Sequence, residues 1–130
     1  MSGTRYLIDS NIVIYYLEGV LTEKGKNFLN DILSIESQIS AITKIEVMGW
    51  GFNDESKNSL FRNFIDHSSI FMLENEVIEK AIELRAKIKI KTPDAIIAST
   101  AILNNFTLIT RNISDFKNIS GLNLINPFDL

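Results

Sequence analysis

The chain has 130 residues, a formal net charge of −3 at pH 7, 45% hydrophobic residues and 22% charged residues. This composition predicts one globular domain, residues 1–130, with a hydrophobic core rather than a disordered chain. The sequence has no cysteine and a single histidine, His67. Disulfides, cysteine nucleophiles and thiolate or multi-histidine metal sites are therefore excluded within one chain. A bound metal would have oxygen ligands, which favours Mg²⁺ or Mn²⁺.

Charge and hydropathy also limit where the protein acts. The acidic balance argues against non-specific coating of nucleic acid, although it permits a local basic patch. The first nine residues, MSGTRYLID, lack the apolar run of a signal peptide, and no stretch approaches about 18 uninterrupted apolar residues. We therefore expect a soluble, cytoplasmic protein that does not engage a membrane.

Short apolar runs alternate with helical patterns along the chain. Ser10 and Asn11 offer N-cap chemistry for the first helix, which Glu18 and Gly19 end. Thr43–Glu46 (TKIE) matches a capping box at the start of a later helix. The predicted strands are 5–9, 38–42, 70–73, 107–110 and 122–125. The predicted helices are 12–17, 23–35, 43–52, 56–67, 76–87 and one within 91–104.

The stretch Lys91–Asn104 (KTPDAIIASTAILN) is the most informative part of the sequence. Thr92 suits an N-cap and Pro93 the first helical position. The residues that follow are apolar nearly all round, which predicts a helix buried on most of its circumference. Asp94 then lies in the first turn of a buried helix. Just before it, Arg85–Lys91 alternates charged and apolar residues with a period of two, which predicts an extended segment.

Strands that alternate with helices indicate βαβ units. We therefore predict an α/β fold, a three-layer α/β/α sandwich with a mainly parallel sheet of roughly five strands. Ligands of such sheets bind at the carboxyl ends of the strands. Four acids fall near that edge: Asp9, Glu46, Asp94 and Asp115.

Each of these acids has an ordinary structural explanation. Asp9 can be a strand-end turn residue, Glu46 a capping-box partner and Asp94 an acid that offsets the helix dipole. Asp115 can be a turn or short-helix residue. Together, however, four converging carboxylates repel one another and raise at least one pKa unless a cation shares the site. A divalent cation held by oxygen ligands can activate water and stabilise charge on a phosphoryl group.

The sequence resembles the PIN-domain ribonucleases, in particular the small VapC-type toxins of toxin–antitoxin pairs. Four motifs carry the resemblance, in the family's order and spacing over nearly the whole chain: Asp9-Ser10-Asn11, Glu46 in TKIE, Thr92-Pro93-Asp94-Ala95, and Thr110–Phe116 (TRNISDF). The resemblance implies a PIN-like fold and endonucleolytic cleavage of RNA that depends on Mg²⁺ or Mn²⁺. It also implies a homodimer and a cognate antitoxin that inhibits it.

Roles for individual residues follow from this resemblance. Asp9, Glu46, Asp94 and Asp115 match the family's catalytic acids, with Asp9, Asp94 and Asp115 as metal ligands, Asp115 directly or through water. Glu46 would orient or activate the attacking water. Supports for these carboxylates would come from four neighbours: Ser10, Asn11, Thr110 and Asn112. Many members carry a further acid near Thr110–Asn112, and this chain has none there, so the resemblance leaves one or two metals open.

Weaker features concern substrate and partners. Arg111 and Lys91, and less strongly Lys87 and Lys89, are candidates for RNA phosphate contacts, against the alternative of a solvated edge. Trp50 and Phe52, flanked by two glycines, are either core residues or a contact for a dimer or antitoxin. His67 is expected at the surface or at a helix end.

Three other functions fit parts of the pattern. A phosphatase of the haloacid-dehalogenase type needs a second acid two residues after Asp9, where this chain has Asn11. A receiver-type phosphoacceptor domain expects paired acids at the first strand and an acid that ends the third. A non-catalytic PIN-like binding module would gain little from keeping four acids clustered.

Overall fold

The computed structural model describes residues 3–130, in which short parallel strands lie between two layers of helices. The strands are β1 (Tyr6–Ile8), β2 (Gln38–Ser40), β3 (Ser69–Phe71), β4 (Thr107–Ile109) and β5 (Leu124–Ile125). The helices are α1 (Ser10–Glu18), α2 (Glu23–Leu33), α3 (Ala41–Trp50), α4 (Glu55–Asp66), α5 (Asn75–Lys87), α6 (Thr92–Leu103) and α7 (Ile113–Phe116). A C-terminal 3-10 helix, Pro127–Asp129, follows β5.

The strands form two parallel ladders that lie side by side. One ladder has the order β1-β4-β5 and the other pairs β2 with β3. The two meet at β1 and β2, where Gln38 Nε2 donates a hydrogen bond to Tyr6 O at 3.1 Å. This contact joins the first residues of the two strands. At their other ends, Ser10, which follows β1, lies 3.1 Å from Thr43 in the helix that follows β2. The two strands therefore run in the same direction. The five predicted strands and their parallel pairing are confirmed. They lie side by side in the order β3-β2-β1-β4-β5, but the backbone ladder is continuous only within β2-β3 and within β1-β4-β5.

Alternation along the central strands divides the core into two halves. Leu7 and Leu108 face one side of the sheet, where they pack against α5, α6 and α7. Ile8 and Ile109 face the other side, where they pack against α1, α2, α3 and α4. Side chains alternate in this way because successive strand residues point to opposite faces. The predicted three layers are therefore present, and the carboxyl edge of β1 and β4 lies between the two helical layers.

The central helix α6 is buried as predicted, but it begins one residue earlier than expected, at Thr92 rather than at Pro93. Ala95, Ile97, Ala98 and Ala101 are buried. Lys91, not Thr92, is the N-cap, and it makes no side-chain capping bond. The prediction for Thr92 was wrong because its hydroxyl instead accepts a hydrogen bond from Arg85 Nη1 at 2.7 Å.

Two other predicted helix starts were also misplaced. The N-cap of α3 is Ser40, whose Oγ accepts from Ile42 N at 3.1 Å, so Thr43–Glu46 is not a capping box. Thr43 and Glu46 instead lie one turn apart within the helix. The N-cap of α1 is Asp9 rather than Ser10 or Asn11. In both cases the strand ends earlier than predicted, and a polar residue within the predicted strand, Asp9 or Ser40, caps the helix.

The alternating segment before α6 is only partly extended. Helix α5 continues to Lys87, and only residues 88–91 are non-helical. The prediction failed for Arg85–Lys87 because burial of Ala81 and Leu84 against the core favours helix there. Arg85 then binds the following loop through Ile90 O, at 3.2 Å.

Within residues 3–130, every helix is too short or too polar to cross a lipid bilayer.

Candidate active site

Asp9 is the best-defined of the four predicted acids. It follows β1, caps α1 and is 5% exposed. Its Oδ1 accepts a hydrogen bond from Ser10 N at 2.8 Å, and its Oδ2 accepts from Thr110 Oγ1 at 2.7 Å. Thr110 Oγ1 also accepts from Asn112 N at 3.0 Å. These bonds fix the Asp9 carboxylate and join the ends of β1 and β4.

Glu46 lies on α3 and reaches the same region through Ser10. Ser10 Oγ donates to Glu46 Oε1 at 2.5 Å and lies 3.1 Å from Thr43 Oγ1. Thr43 is fully buried, and it was not predicted to belong to the site. The only sequence signal for it is its spacing of three residues from Glu46, which places both on one face of a helix. Ser10 therefore links Asp9 to Glu46.

Asp94 and Asp115 line a cleft beside this network. Asp94 lies in the first turn of α6 and Asp115 in α7. The cleft has a volume of about 680 Å³, and cationic side chains line it together with the two acids. Those cations are Arg85, Lys89 and Lys91.

Electrostatics shows that the four carboxylates sense one another. The pKa of Asp9 is raised to about 6, chiefly by burial; the bonds from Thr110 and Ser10 oppose this rise, and the nearby Asp94 and Glu46 contribute to it. Burial also raises the pKa of Asp94, and Asp115 and Glu46 add to that effect against Lys91. Each acid therefore lies close enough to repel at least one other. The structure brings the predicted four together at one edge of the sheet.

The donor set suits a hard divalent cation. The four carboxylates supply only oxygen, and none of them forms an ion pair with a Lys, Arg or His within the described chain. In their present rotamers, no three Asp, Glu or His side chains of residues 3–130 stand close enough to share one ion. Asp9 is locked by its hydrogen bonds, whereas Asp94 is half-buried and Asp115 is exposed. Rotation of those two side chains is therefore what binding an ion would require.

The predicted supporting residues divide into two groups. Ser10, Thr110 and Asn112 enter the hydrogen-bond network around Asp9. Asn11 makes no hydrogen bond to any of the four carboxylates among the described residues. Its Oδ1 is buried and has no hydrogen-bond partner in that part of the chain.

The predicted cations lie in different places. Lys91 lines the cleft beside Asp94. Arg111 lies on the opposite face of the sheet, with its guanidinium carbon 4.2 Å from the centre of the Phe128 ring. Lys87 is paired with Glu83 at 3.5 Å and does not line the cleft.

The remaining singled-out residues lie outside the site. Trp50 and Phe52 are 60% and 72% exposed, so they are not core residues. His67 is exposed at the end of α4, as expected, and its Nδ1 lies 2.8 Å from Asn63 O.

Comparisons with known proteins agree with this geometry. A family model described as PIN domain matches residues 6–122. Ribonuclease VapC1 of Rickettsia felis is 28% identical over 133 aligned residues, which cover 92% of this chain and 93% of the relative. Among solved structures, VapBC2 from Rickettsia felis bound to a promoter DNA fragment aligns with a TM-score of 0.82 and 27% identity, covering 95% of this chain and 98% of that one. A toxin–antitoxin complex from Klebsiella pneumoniae aligns with a TM-score of 0.79 and 30% identity, covering 96% and 99%.

Proposed function

The chain belongs to the PIN-domain family, and we propose that it is a metal-dependent endoribonuclease, the toxin of a toxin–antitoxin pair. One observation carries the proposal. Carboxylates that follow β1 or lie on α3, α6 and α7, up to 106 positions apart in the sequence (9 to 115), converge at one edge of the sheet. None of them forms an ion pair with a Lys, Arg or His of residues 3–130. The relative Ribonuclease VapC1 supports the same activity.

The proposed metal ligands are Asp9, Asp94 and Asp115, and the proposed ion is Mg²⁺ or Mn²⁺. Such an ion would activate water and offset negative charge on the phosphoryl group. Magnesium and manganese suit carboxylate ligands, which fits the oxygen donors present here. The fixed Asp9 would define the position of the ion, because its two oxygens are already oriented by Ser10 N and Thr110 Oγ1.

The side chains around the ligands have distinct proposed tasks. Glu46 is held at one oxygen by Ser10, so its other oxygen is free to accept a proton from the attacking water. Lys91 lies beside Asp94 in the cleft and would pair with a phosphate of the RNA. Thr110 and Asn112 would keep the Asp9 carboxylate in place. The chain thus supplies orientation, a proton acceptor and phosphate binding.

The decisive experiment is cleavage of mixed cellular RNA by the purified protein. With Mn²⁺ or Mg²⁺ we expect cutting, which EDTA abolishes and Asp94→Asn lowers by more than about 100-fold. Asp66→Asn is the matched control, since Asp66 is exposed at the end of α4 and leads into the start of β3, away from the carboxyl edge. Circular dichroism checks that each variant is folded. Equal activity of the Asp94→Asn and Asp66→Asn proteins would contradict the proposal.

A non-catalytic PIN-like module is the alternative outcome. It requires a folded protein with no metal-dependent cutting and no binding of Mn²⁺.

We also propose a cognate antitoxin and a homodimer as partners, and the cytoplasm, where cellular RNA is found, as the location. The Klebsiella relative is a toxin–antitoxin complex, and exposed Trp50 and Phe52 supply apolar surface of the kind that partners cover. Sedimentation measures both assemblies, with a dimer expected for the protein alone and a larger complex with the antitoxin. A monomer at all concentrations, or no larger complex with the antitoxin, would contradict the corresponding partner.

A further inference from the structure

Arg111 is held by aromatic rings rather than by an acid. Its guanidinium carbon lies 4.2 Å from the Phe128 ring centre and 5.3 Å from the Tyr15 ring centre. The two rings meet edge to face, 5.6 Å apart. Arg111 is exposed and forms no ion pair with an acid in residues 3–130. We call these three residues the arginine platform.

Stacking of this kind orients a guanidinium without using its hydrogen-bond donors. The ring faces attract the cation, while the N–H groups stay at the edge of the guanidinium plane. An arginine bound bidentately to a carboxylate would instead have its charge offset and two of its five N–H donors occupied by that partner. The platform therefore keeps a full positive charge in a fixed direction, on a chain whose net charge is −3.

The C-terminal 3-10 helix fixes the position of Phe128. Asn126 Oδ1 accepts a hydrogen bond from Phe128 N at 3.0 Å, and Thr110 N donates to Ile125 O at 3.0 Å. The 3-10 helix also packs closely on α2, since a Cβ added at Gly25 would lie only 2.8 Å from Pro127 O. Phe128 is thus tied to both β4 and α2.

The arginine platform and the cleft lined by Arg85, Lys89 and Lys91, which we call the lysine cleft, lie on opposite sides of the carboxylates. Tyr15 and Phe128 pack with the core half under α1 to α4, whereas Ile90 and Phe116 beside the cleft belong to the half under α5 to α7. Arg111 directly follows Thr110, which binds Asp9. An RNA strand that enters from the cleft and crosses the carboxyl edge of the sheet over Asp9 would therefore reach Arg111 next.

We propose that the arginine platform is a second binding subsite for single-stranded RNA, on the far side of the cleaved bond from the lysine cleft. Arg111 pairs with a backbone phosphate, and Phe128 and Tyr15 are positioning residues that hold its guanidinium. A cation beside aromatic rings is the combination that binds single-stranded nucleic acid with little sequence preference. This inference rests on the proposed nuclease function and names how that site holds its substrate.

The first test measures equilibrium binding of a fluorescein-labelled single-stranded RNA, in the Asp94→Asn background so that the RNA stays intact. We expect Arg111→Gln to weaken binding by about tenfold or more, because a charge-assisted contact is lost. The plot of log affinity against log salt concentration should also become less steep by about 0.7, the value for one phosphate contact on a single strand. Arg62→Gln removes an exposed arginine from α4 and should leave affinity and slope unchanged.

The second test separates positioning from general packing in the cleaving enzyme. Phe128→Leu should raise KM several-fold with little change in kcat, and Phe128→Tyr should restore KM, since it keeps a ring under the guanidinium. Phe64→Leu is the same change at another half-buried phenylalanine, on α4 and outside the platform, and should leave KM unchanged. A merely structural role for Phe128 would lower the melting temperature and the active fraction, and so kcat, without changing KM.

Four results would decide between the subsite, the positioning role and the nuclease. Unchanged affinity and salt slope in Arg111→Gln would overturn the subsite, as would absence of any RNA binding by the Asp94→Asn protein. If Phe128→Leu and Phe128→Tyr raised KM equally, the positioning role of the ring would be overturned. Altered RNA binding in Arg111→Gln without any metal-dependent cutting would support the subsite and contradict the proposed nuclease.

Discussion

Asp9 combines tasks that are usually divided among several residues. It directly follows β1, caps α1 through Ser10 N and accepts a hydrogen bond from Thr110. These bonds favour its charged form, but burial and the neighbouring acids disfavour that form more strongly, so its pKa rises to about 6. Without a cation, the ionised Asp9 therefore costs the folded protein free energy near neutral pH.

This cost predicts an unusual dependence of stability on pH in EDTA. A carboxyl group whose pKa rises from 3.8 to about 6 on folding stabilises the fold when protonated, and this stabilisation is lost as pH rises through 6. At about 1.4 kcal/mol per pKa unit, the loss approaches about 3 kcal/mol by pH 8. Asp9→Asn keeps an Oδ1 acceptor for Ser10 N and cannot ionise. Denaturant unfolding should therefore show Asp9→Asn more stable than the parent at pH 8, with the difference vanishing near pH 4.

The comparison needs a control for ordinary surface charge. Asp66→Asn removes an exposed acid and should follow the parent at both pH values. If Asp9→Asn were instead less stable than the parent at pH 8, the hydrogen bonds to the carboxylate would outweigh its burial and our account of Asp9 would be wrong.

At this scale, sequence reasoning could identify the four acids but not the links between them. Strand ends and helix starts are visible in the pattern, which is why Asp9 and Asp94 could be placed. The Ser10 contact with Glu46 joins residues 36 positions apart, and only the packing of α1 on α3 creates it. The role of Thr43 and the stacking of Arg111 on Phe128 were not predicted for the same reason.

At the level of elements, existence and type were predictable, whereas ends were not. The end of β2 could not be placed from sequence, because Ser40 and Thr43 are both good N-caps and packing decides between them. Likewise, the alternation of Arg85–Lys91 resembles a strand, but the buried face of α5 extends the helix to Lys87. Tertiary contacts override a short periodic pattern in each case.

The contact between α2 and the C-terminal 3-10 helix gives a test at the same scale. Gly25 lies within α2, and a Cβ there would meet Pro127 O at 2.8 Å and Thr22 Oγ1 at 3.0 Å. Gly49 lies within α3, and a Cβ there would meet nothing within 4 Å. Alanine favours helix over glycine by up to about 1 kcal/mol. Denaturant unfolding should therefore show Gly49→Ala stabilised by up to that amount and Gly25→Ala destabilised.

The pair is informative because the substitution is the same at both positions. If Gly25→Ala were as stable as Gly49→Ala, the 3-10 helix would not be packed tightly on α2, and the support that we assign to Phe128 would be removed.

Across the whole molecule, the fold places an acidic centre between two groups of cationic side chains. The carboxylates occupy the edge between the two helical layers, the lysine cleft lies on the side of α5 to α7, and the arginine platform lies on the side of α1 to α4. Under our proposals, a protein with a net charge of −3 would bind RNA through local positive groups on both sides of an acidic centre. The alternation of strands and helices predicted this architecture, since it follows from hydrophobic patterning. The division of the cations between two faces did not follow from it.

The central claim is that the carboxylate cluster holds a divalent cation. The most direct test is to strip metal from the protein with EDTA, remove the EDTA, and measure Mn²⁺ binding by isothermal titration calorimetry. We expect binding by the parent and by Asp66→Asn, and loss of binding in Asp94→Asn and Asp9→Asn. Binding that survives both substitutions, or a parent protein that binds no Mn²⁺, would contradict the account.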